Sequence, residues 1–365
     1  MRFFAALYVV LFHVIWDAFP TVRHDSIFGR VVSLGYLSVG FFFLLSGYIL
    51  SVVYLRDGKS VPMRAFYGAR FARVYPLFLA TLLAGTPFLL IDRIERYGMR
   101  TAVIKTAASF VGHIFMLQAW ILNLRGIDNP NWSLSVETLF YALFPFLGVW
   151  LWRLKTRSQV FYAGIAVYAL SQLLVNLAYN AAQGRIPPDY VALNPLLHLG
   201  TFTMGILFAR WHALYRQEHG PSPRGSLTSL AALVFAAVAY AVVVALAPPT
   251  TSPRIANGLL APIFVAVIWA LSNNRSFLSQ WLSAPWMVLL GEASFGLYLI
   301  HFITYQLFEA LGGFRTLVIF PLYLLVSIGL SILSFYYIEI PMRKWLLKRL
   351  QTRPKETMEA ASDAQ

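Results

Sequence analysis

The chain has 365 residues, of which 59% are hydrophobic and only 12% are charged. A chain of this length and composition is not an ordinary soluble globule, and we predict a polytopic membrane protein. The formal net charge of +14 would indicate nucleic-acid binding in a soluble protein, but basic cytoplasmic loops explain it here. The absence of cysteine excludes disulfides, thiolate metal ligands and a cysteine nucleophile.

Apolar stretches of about 20 residues, the length that crosses a bilayer, recur along the chain. They predict an all-α, polytopic helical bundle of about ten transmembrane helices. Both termini are predicted to be cytoplasmic, because most of the basic residues then lie on that side. The run 106–122 is predicted to pack or dip on the outer side without crossing. One membrane domain, 1–349, is predicted to precede a short disordered tail, 350–365. The predicted spans are 3–19, 31–54, 74–91, 132–152, 158–178, 195–211, 226–247, 255–272, 286–308 and 316–340.

The first span begins with an arginine and contains a histidine. Arg2 and His13 are eleven positions apart, and three helical turns take about 10.8 residues, so both side chains lie on one helix face. Their separation along the axis is about 16 Å, which puts Arg2 at the cytoplasmic edge and His13 well inside the membrane. An ionisable residue at that depth is a functional candidate, although a neutral histidine packed against a neighbouring helix is the alternative. Asp17 either accepts the second N–H of His13 or lies at the outer interface.

Two later spans also carry polar residues at depth. NWSLSVE places Glu137 near the outer start of a span, where Trp132, Ser133 and Ser135 are candidate hydrogen-bond donors, unless Trp132 is an interface anchor and Glu137 is near water. SFGLYLIH places Ser294, Tyr298 and His301 on one helical stripe, with His301 at a depth similar to that of His13. Matching depth favours a functional pair over two packed histidines.

Two further segments have competing interpretations. Small residues in the second span, among them Ser46 and Gly47, indicate close helix packing or the lining of a narrow passage. In FYGARFARVYP, Arg70 and Arg73 share a helical face. They indicate either cytoplasmic topology alone or a docking site for a phosphorylated ligand, since guanidinium groups match phosphate geometry.

Six motifs occur in an order that resembles membrane-bound acyltransferase family 3, the bacterial OafA/NodX-like O-acyltransferases. The motifs are Arg2 with His13 ten residues beyond it, FFFLLSG, ARFARVYP, NWSLSVE, SFGLYLIH and YYIEIPMRKWL, and the resemblance extends from Arg2 to about Trp345.

The resemblance implies transfer of an acyl group, usually acetyl, from cytosolic acyl-CoA to a hydroxyl of a saccharide or another glycosylated acceptor at the bacterial inner membrane. It implies a first-span motif of Arg2 and a catalytic His13, acyl-CoA binding by Arg70 and Arg73, and a late motif of Ser294, Tyr298 and His301. We further expect Arg2 and Ser46 to take part in acyl-CoA binding. Acyl-CoA is then a donor substrate, and no permanently bound cofactor or metal is expected.

On this basis we expect His13 to act as general base, or as a covalent acyl relay. Glu137 is expected to orient an imidazole or bind the acceptor, while His301, Ser46 and the Trp132 indole are candidate oxyanion donors. Ser133 is expected to support the acceptor. The alternatives are a transporter or flippase that uses membrane His and Glu residues, and a structural scaffold.

The chain departs from the family pattern at both ends. Several residues with a Leu-Asp-Gly-Leu-like run usually precede the arginine, whereas Met1 directly precedes Arg2, and a start upstream of Met1 stays open. An SGNH-type C-terminal extension is absent, so acyl transfer onward to such a domain would need a separate periplasmic partner. Acceptor identity, acyl length and oligomeric state are not readable from the residues.

Overall fold

The helices follow the predicted apolar stretches. A computed structural model describes residues 1–55, 61–124, 126–127, 129–220, 227–246, 255, 257–273, 277–314 and 318–351, and no β-strand occurs among them. Residues 352–365, which include most of the predicted tail, lie outside this set. The first helices are α1 (Arg2–Ala18), α2 (Ile27–Ser33), α3 (Ser38–Tyr54), α4 (Met63–Tyr97), α5 (Met99–Ile114), α6 (Trp132–Trp152), α7 (Arg157–Ala182) and α8 (Pro188–Ala192).

The second half of the chain continues in the same way. A π-helical turn, Phe335–Glu339, joins the last two helices, and short 3₁₀ turns lie at Leu34–Leu37, Leu122–Leu124 and Asn129–Asn131. The helices here are α9 (Pro195–His219), α10 (Leu227–Leu246), α11 (Ala261–Asn273), α12 (Phe277–Leu282), α13 (Pro285–Ala310), α14 (Ile319–Ser334) and α15 (Ile340–Gln351).

Eight helical stretches in the described residues are long and apolar enough to cross a membrane. They correspond to eight of the predicted spans, and the all-helical membrane architecture is confirmed. The predicted spans 3–19 and 255–272 correspond to the shorter helices α1 and α11. Residues 106–122 form no spanning helix, as expected, because α5 ends at Ile114 and packs beside α4.

Helix α4 is longer than the sequence predicts. The apolar run gives 74–91, but the helix has 35 residues and continues through Pro76 and Pro87. At 1.5 Å per residue it is about 52 Å long, which exceeds a hydrocarbon core of about 30 Å. Arg70 and Arg73 are therefore held on a continuous helix two to three turns after its start, and not in a loop.

Helices α3 and α9 cross in close contact because each contributes a glycine. A Cβ added to Gly205 would overlap the carbonyl oxygen of Leu44, and one added to Gly47 would overlap that of Phe202. Small residues allow membrane helices to approach to this distance. The close-packing interpretation of Gly47 is thus supported, and the crossing fixes the position of the neighbouring Ser46.

Replacement of Gly205 by alanine should destabilise the bundle by about 1–3 kcal/mol, because the added methyl group meets backbone that cannot move aside. Thermal unfolding of the purified protein in detergent measures the effect. Gly291→Ala is the matched control, since nothing beyond its chain neighbours and its own helix backbone lies within 4 Å of a Cβ added there. Equal unfolding temperatures for the two variants would contradict the close α3–α9 crossing.

Candidate active site

Helices α1 and α13 bring the two membrane histidines into contact. The Nδ1 atom of His13 lies 3.2 Å from the Nε2 atom of His301, and their ring centroids are 5.2 Å apart. His301 is fully buried, whereas His13 is only partly buried. The sequence predicts these residues at matching depth, and in the structure they form a hydrogen-bonded pair.

The hydrogen bonds around the pair assign the tautomers of both rings. The Leu297 carbonyl oxygen lies 3.1 Å from Nδ1 of His301, so this nitrogen donates and Nε2 of a neutral His301 accepts. Nδ1 of His13 then carries the proton and donates it to Nε2 of His301. Nε2 of His13 is left with its lone pair, which is the arrangement that a general base requires.

Asp17 does not take part in this pair. Its carboxylate is exposed and accepts a hydrogen bond of 3.0 Å from the Tyr305 hydroxyl. The interpretation in which Asp17 orients His13 is therefore wrong, because His301 occupies the Nδ1 side of the His13 ring. Phe12 and Phe302 pack edge-on against His13, with ring centroids 5.1 Å and 5.9 Å away.

A cavity of about 120 Å³ lies between α1, α3, α4, α6 and α13, near the start of α1. Apolar side chains such as Phe42, Phe43 and Leu50 form part of its wall. Most of the residues that the sequence singles out also line it: Arg2, Ser46, Arg70, Arg73, Ser133, Glu137, Ser294 and Tyr298. The other candidate residues do not line it, namely His13, Asp17, Gly47, Trp132, Ser135 and His301.

Positive charge predominates on the polar side of the cavity. Arg2, Arg70 and Arg73 line it together with one carboxylate, that of Glu137. The Tyr141 hydroxyl donates to Glu137 over 3.0 Å, and Arg70 donates to the Tyr54 hydroxyl over 3.4 Å. The Nε atoms of Arg2 and Arg70 are buried without a hydrogen-bond partner among the described residues. The cavity therefore has guanidinium donors available for an anionic ligand.

A comparison with known protein families identifies the family of the chain. The sequence model of an acyltransferase domain, Acyl_transf_3, matches residues 1–336. The chain belongs to the acyltransferase 3 family. No solved structure matches it.

This acyltransferase has curated relatives in two bacterial genera. It is 29% identical to acyltransferase MdmB of Streptomyces mycarofaciens, over 86% of this chain and 79% of that one. It is 22% identical to putative O-acetyltransferase SACOL0978 of Staphylococcus aureus strain COL, over 88% of this chain. It is 21% identical to O-acetyltransferase OatA of Staphylococcus aureus strain MRSA252, over 99% of this chain. The chain spans 54% and 59% of the two staphylococcal proteins.

The start of α6 in this acyltransferase is buried, which corrects two sequence predictions. Trp132 is not an interface anchor, because it packs against Phe43 and His198 with ring centroids 6.0 Å and 5.4 Å away. The hydroxyls of Ser133 and Ser135 donate to the carbonyl oxygens of Pro130 and Met116, and not to Glu137.

Tyr298 lies between the cavity and the histidine pair. It lines the cavity, its hydroxyl donates to the Pro130 carbonyl over 2.9 Å, and it is 2.8 Å from Oγ of Ser133. Its ring centroid is 6.2 Å from that of His301. The predicted stripe Ser294, Tyr298 and His301 thus extends from the cavity to the imidazoles, with Tyr298 as the residue that touches both.

Sequence reasoning missed Glu339, which forms an ion pair with Arg73. The carboxylate Oε2 lies 3.2 Å from Nη1 of Arg73, and the Glu339 side chain is only 3% exposed. The π-helical turn Phe335–Glu339 precedes Pro341, which has no backbone N–H to donate to the preceding turn. A carboxylate at the end of an apolar run is the signal that could have identified this residue.

Arg73→Gln should destabilise this acyltransferase by about 3–5 kcal/mol, because it leaves the buried Glu339 carboxylate without its cation. Addition of Glu339→Gln should recover most of that loss, and a double-mutant cycle on unfolding in detergent measures the coupling.

The exposed pair Arg96 and Asp92 on the same helix, 2.6 Å apart, is the matched control. Its coupling should stay below about 1 kcal/mol. Coupling of the same size in both pairs would show that Arg73 and Glu339 are not a buried ion pair.

Proposed function

We propose that this protein is an O-acyltransferase that moves an acyl group, most simply acetyl, from cytosolic acyl-CoA to a hydroxyl of a saccharide or glycosylated acceptor. Relatives named as O-acetyltransferases support the reaction class. The observation that carries the mechanism is the His13–His301 pair beside a cavity with three arginines.

The arginine cavity is the proposed donor site. The phosphates of CoA are multiply charged anions, and guanidinium groups bind phosphate oxygens in a bidentate geometry. Arg2, Arg70 and Arg73 offer such donors from two helices, and Ser46 and Ser294 add hydroxyl groups to the same wall. The acyl end of the donor must then reach His13, which is about 16 Å from Arg2 along α1. Tyr298 lies on that route.

The proposed chemistry starts at Nε2 of His13. An alcohol is a weak nucleophile at neutral pH, so the imidazole removes the proton of the acceptor hydroxyl as its oxygen attacks the thioester carbonyl. The carbon–sulfur bond breaks, the CoA thiolate leaves, and it takes the proton from His13 to give free CoA and an ester. Transfer through an acyl-His13 intermediate is the alternative order of steps.

The supporting groups differ from the initial expectation. His301 donates its N–H to Leu297 and is better suited to holding the ring of His13 than to binding an oxyanion. The Trp132 indole is packed away from the cavity, so Ser46 is the remaining oxyanion donor of the expected three. Glu137 lines the donor cavity among the arginines, which favours a charge-balancing role there over acceptor binding.

The protein is proposed to act in the bacterial inner membrane. The donor enters from the cytoplasm and the acceptor from the outer side, which allows envelope polysaccharides or other glycosylated compounds to be modified.

Replacement of His13 by alanine should reduce acyl transfer by about 10²- to 10⁴-fold, because general-base catalysis is lost. Release of CoA from labelled acetyl-CoA by protein in nanodiscs measures the reaction, and size exclusion checks folding. His219→Ala, which removes an exposed histidine, is the control and should retain full activity. Full activity in a folded His13→Ala variant would exclude this mechanism, and absence of acetyl-CoA binding by the wild type would favour a transporter.

Replacement of Arg70 by glutamine should weaken CoA binding by about tenfold or more, since a hydrogen bond between charged groups contributes about 1.5–3 kcal/mol. Arg70→Lys should recover only part of the affinity, because an ammonium group lacks the planar fork of guanidinium. Binding is measured by calorimetry in nanodiscs. The exposed Arg96→Gln variant should bind CoA like the wild type, and equal losses in Arg70→Gln and Arg96→Gln would contradict the assigned site.

A further inference from the structure

The Arg73–Glu339 ion pair is close but poorly aligned. The two charged atoms are 3.2 Å apart, yet neither carboxylate oxygen of Glu339 has a hydrogen-bond partner among the described residues. A buried carboxylate normally accepts several hydrogen bonds, and an ion pair without them gains little over its desolvation cost. The pair therefore adds little net stability, although removal of one partner leaves the other as an unpaired buried charge.

Arg73 belongs to the ion pair and to the cavity at the same time. Its side chain is 15% exposed and lines the cavity with Arg2 and Arg70, whereas Glu339 does not line it. The carboxylate thus approaches the guanidinium from outside the cavity wall, out of the π-helical turn. A guanidinium has five N–H donors, so an anion in the cavity and Glu339 draw on the same group.

We propose that Glu339 is a positioning residue for the donor site, an internal counter-anion that holds Arg73 in the empty enzyme and competes with the donor phosphate for it. This inference rests on the proposed function, because it takes CoA as the anion. With Glu339 in place, Arg73 is preset for an incoming phosphate but binds it less tightly than a free arginine would. The competition favours exchange of CoA after each turnover.

Charge is the property that the proposal assigns to Glu339, so an isosteric neutral variant tests it. Glu339→Gln removes the competing charge and should tighten CoA binding by about fivefold or more, because a like charge next to a bound anion is repulsive. Glu339→Asp keeps the negative charge, one methylene group closer to the backbone, and should bind CoA within about twofold of the wild type. Glu309→Gln, on an exposed part of α13, should leave binding unchanged.

The measurement is CoA and inorganic pyrophosphate binding by calorimetry in nanodiscs, with unfolding temperatures recorded for each variant. Tighter CoA binding in Glu339→Gln, with Glu339→Asp near the wild type, supports the proposal. CoA binding that is unchanged or weaker in a folded Glu339→Gln variant overturns the counter-anion role of Glu339. If the wild type binds CoA in that experiment, the proposed donor site still stands.

Pyrophosphate separates the two proposals. Suppose that the protein does not bind CoA but that pyrophosphate binds more tightly to Glu339→Gln than to the wild type. This result supports the counter-anion role and rejects CoA as the donor. Binding of neither ligand to any variant rejects both proposals.

Discussion

Charged groups inside an apolar helix bundle must find counter-charges or polar partners, because transfer of an unpaired ion out of water costs several kcal/mol. Three arginines and Glu137 meet this constraint only in part in one small cavity, and Glu339 adds a second carboxylate from behind Arg73. The continuous helix α4, the buried start of α6 and the π-helical turn before α15 all serve to bring these groups together.

The cavity and the histidines are linked by the direction of two helices. Arg2 and Ser294 line the cavity, His13 bonds His301, and Asp17 bonds Tyr305. From one contact to the next, the residue numbers rise in both helices, so α1 and α13 run in the same direction. Each level along the pair therefore has one kind of polar group: a guanidinium beside the cavity at the first, two imidazoles at the second and an exposed carboxylate at the third.

Much of this arrangement could be predicted from the sequence. Helical periodicity places Arg2 and His13 on one face of α1, and apolar length gives the spans, because both depend only on local geometry. The sequence placed His13 and His301 at matching depth, but their contact depends on the packing of α1 against α13. The presence of Arg2 and Glu137 in one cavity could not be predicted, because it depends on how α1 and α6 pack in the bundle and not on local geometry. The choice between the two interpretations of Asp17 likewise depended on Tyr305, a residue 288 positions away.

The π-helical turn has a geometric consequence for the end of the chain. One additional residue in a helical turn rotates everything after it by about 100° relative to a regular helix. This rotation sets the orientation of α15. Leu350 of α15 packs closely on Gly68 of α4, because a Cβ added to Gly68 would lie 2.9 Å from the Leu350 side chain. The turn that presents Glu339 to Arg73 therefore also sets the rotation at which the last helix packs on α4. The same few backbone dihedrals determine both the charge beside the cavity and the packing of the C-terminal helix.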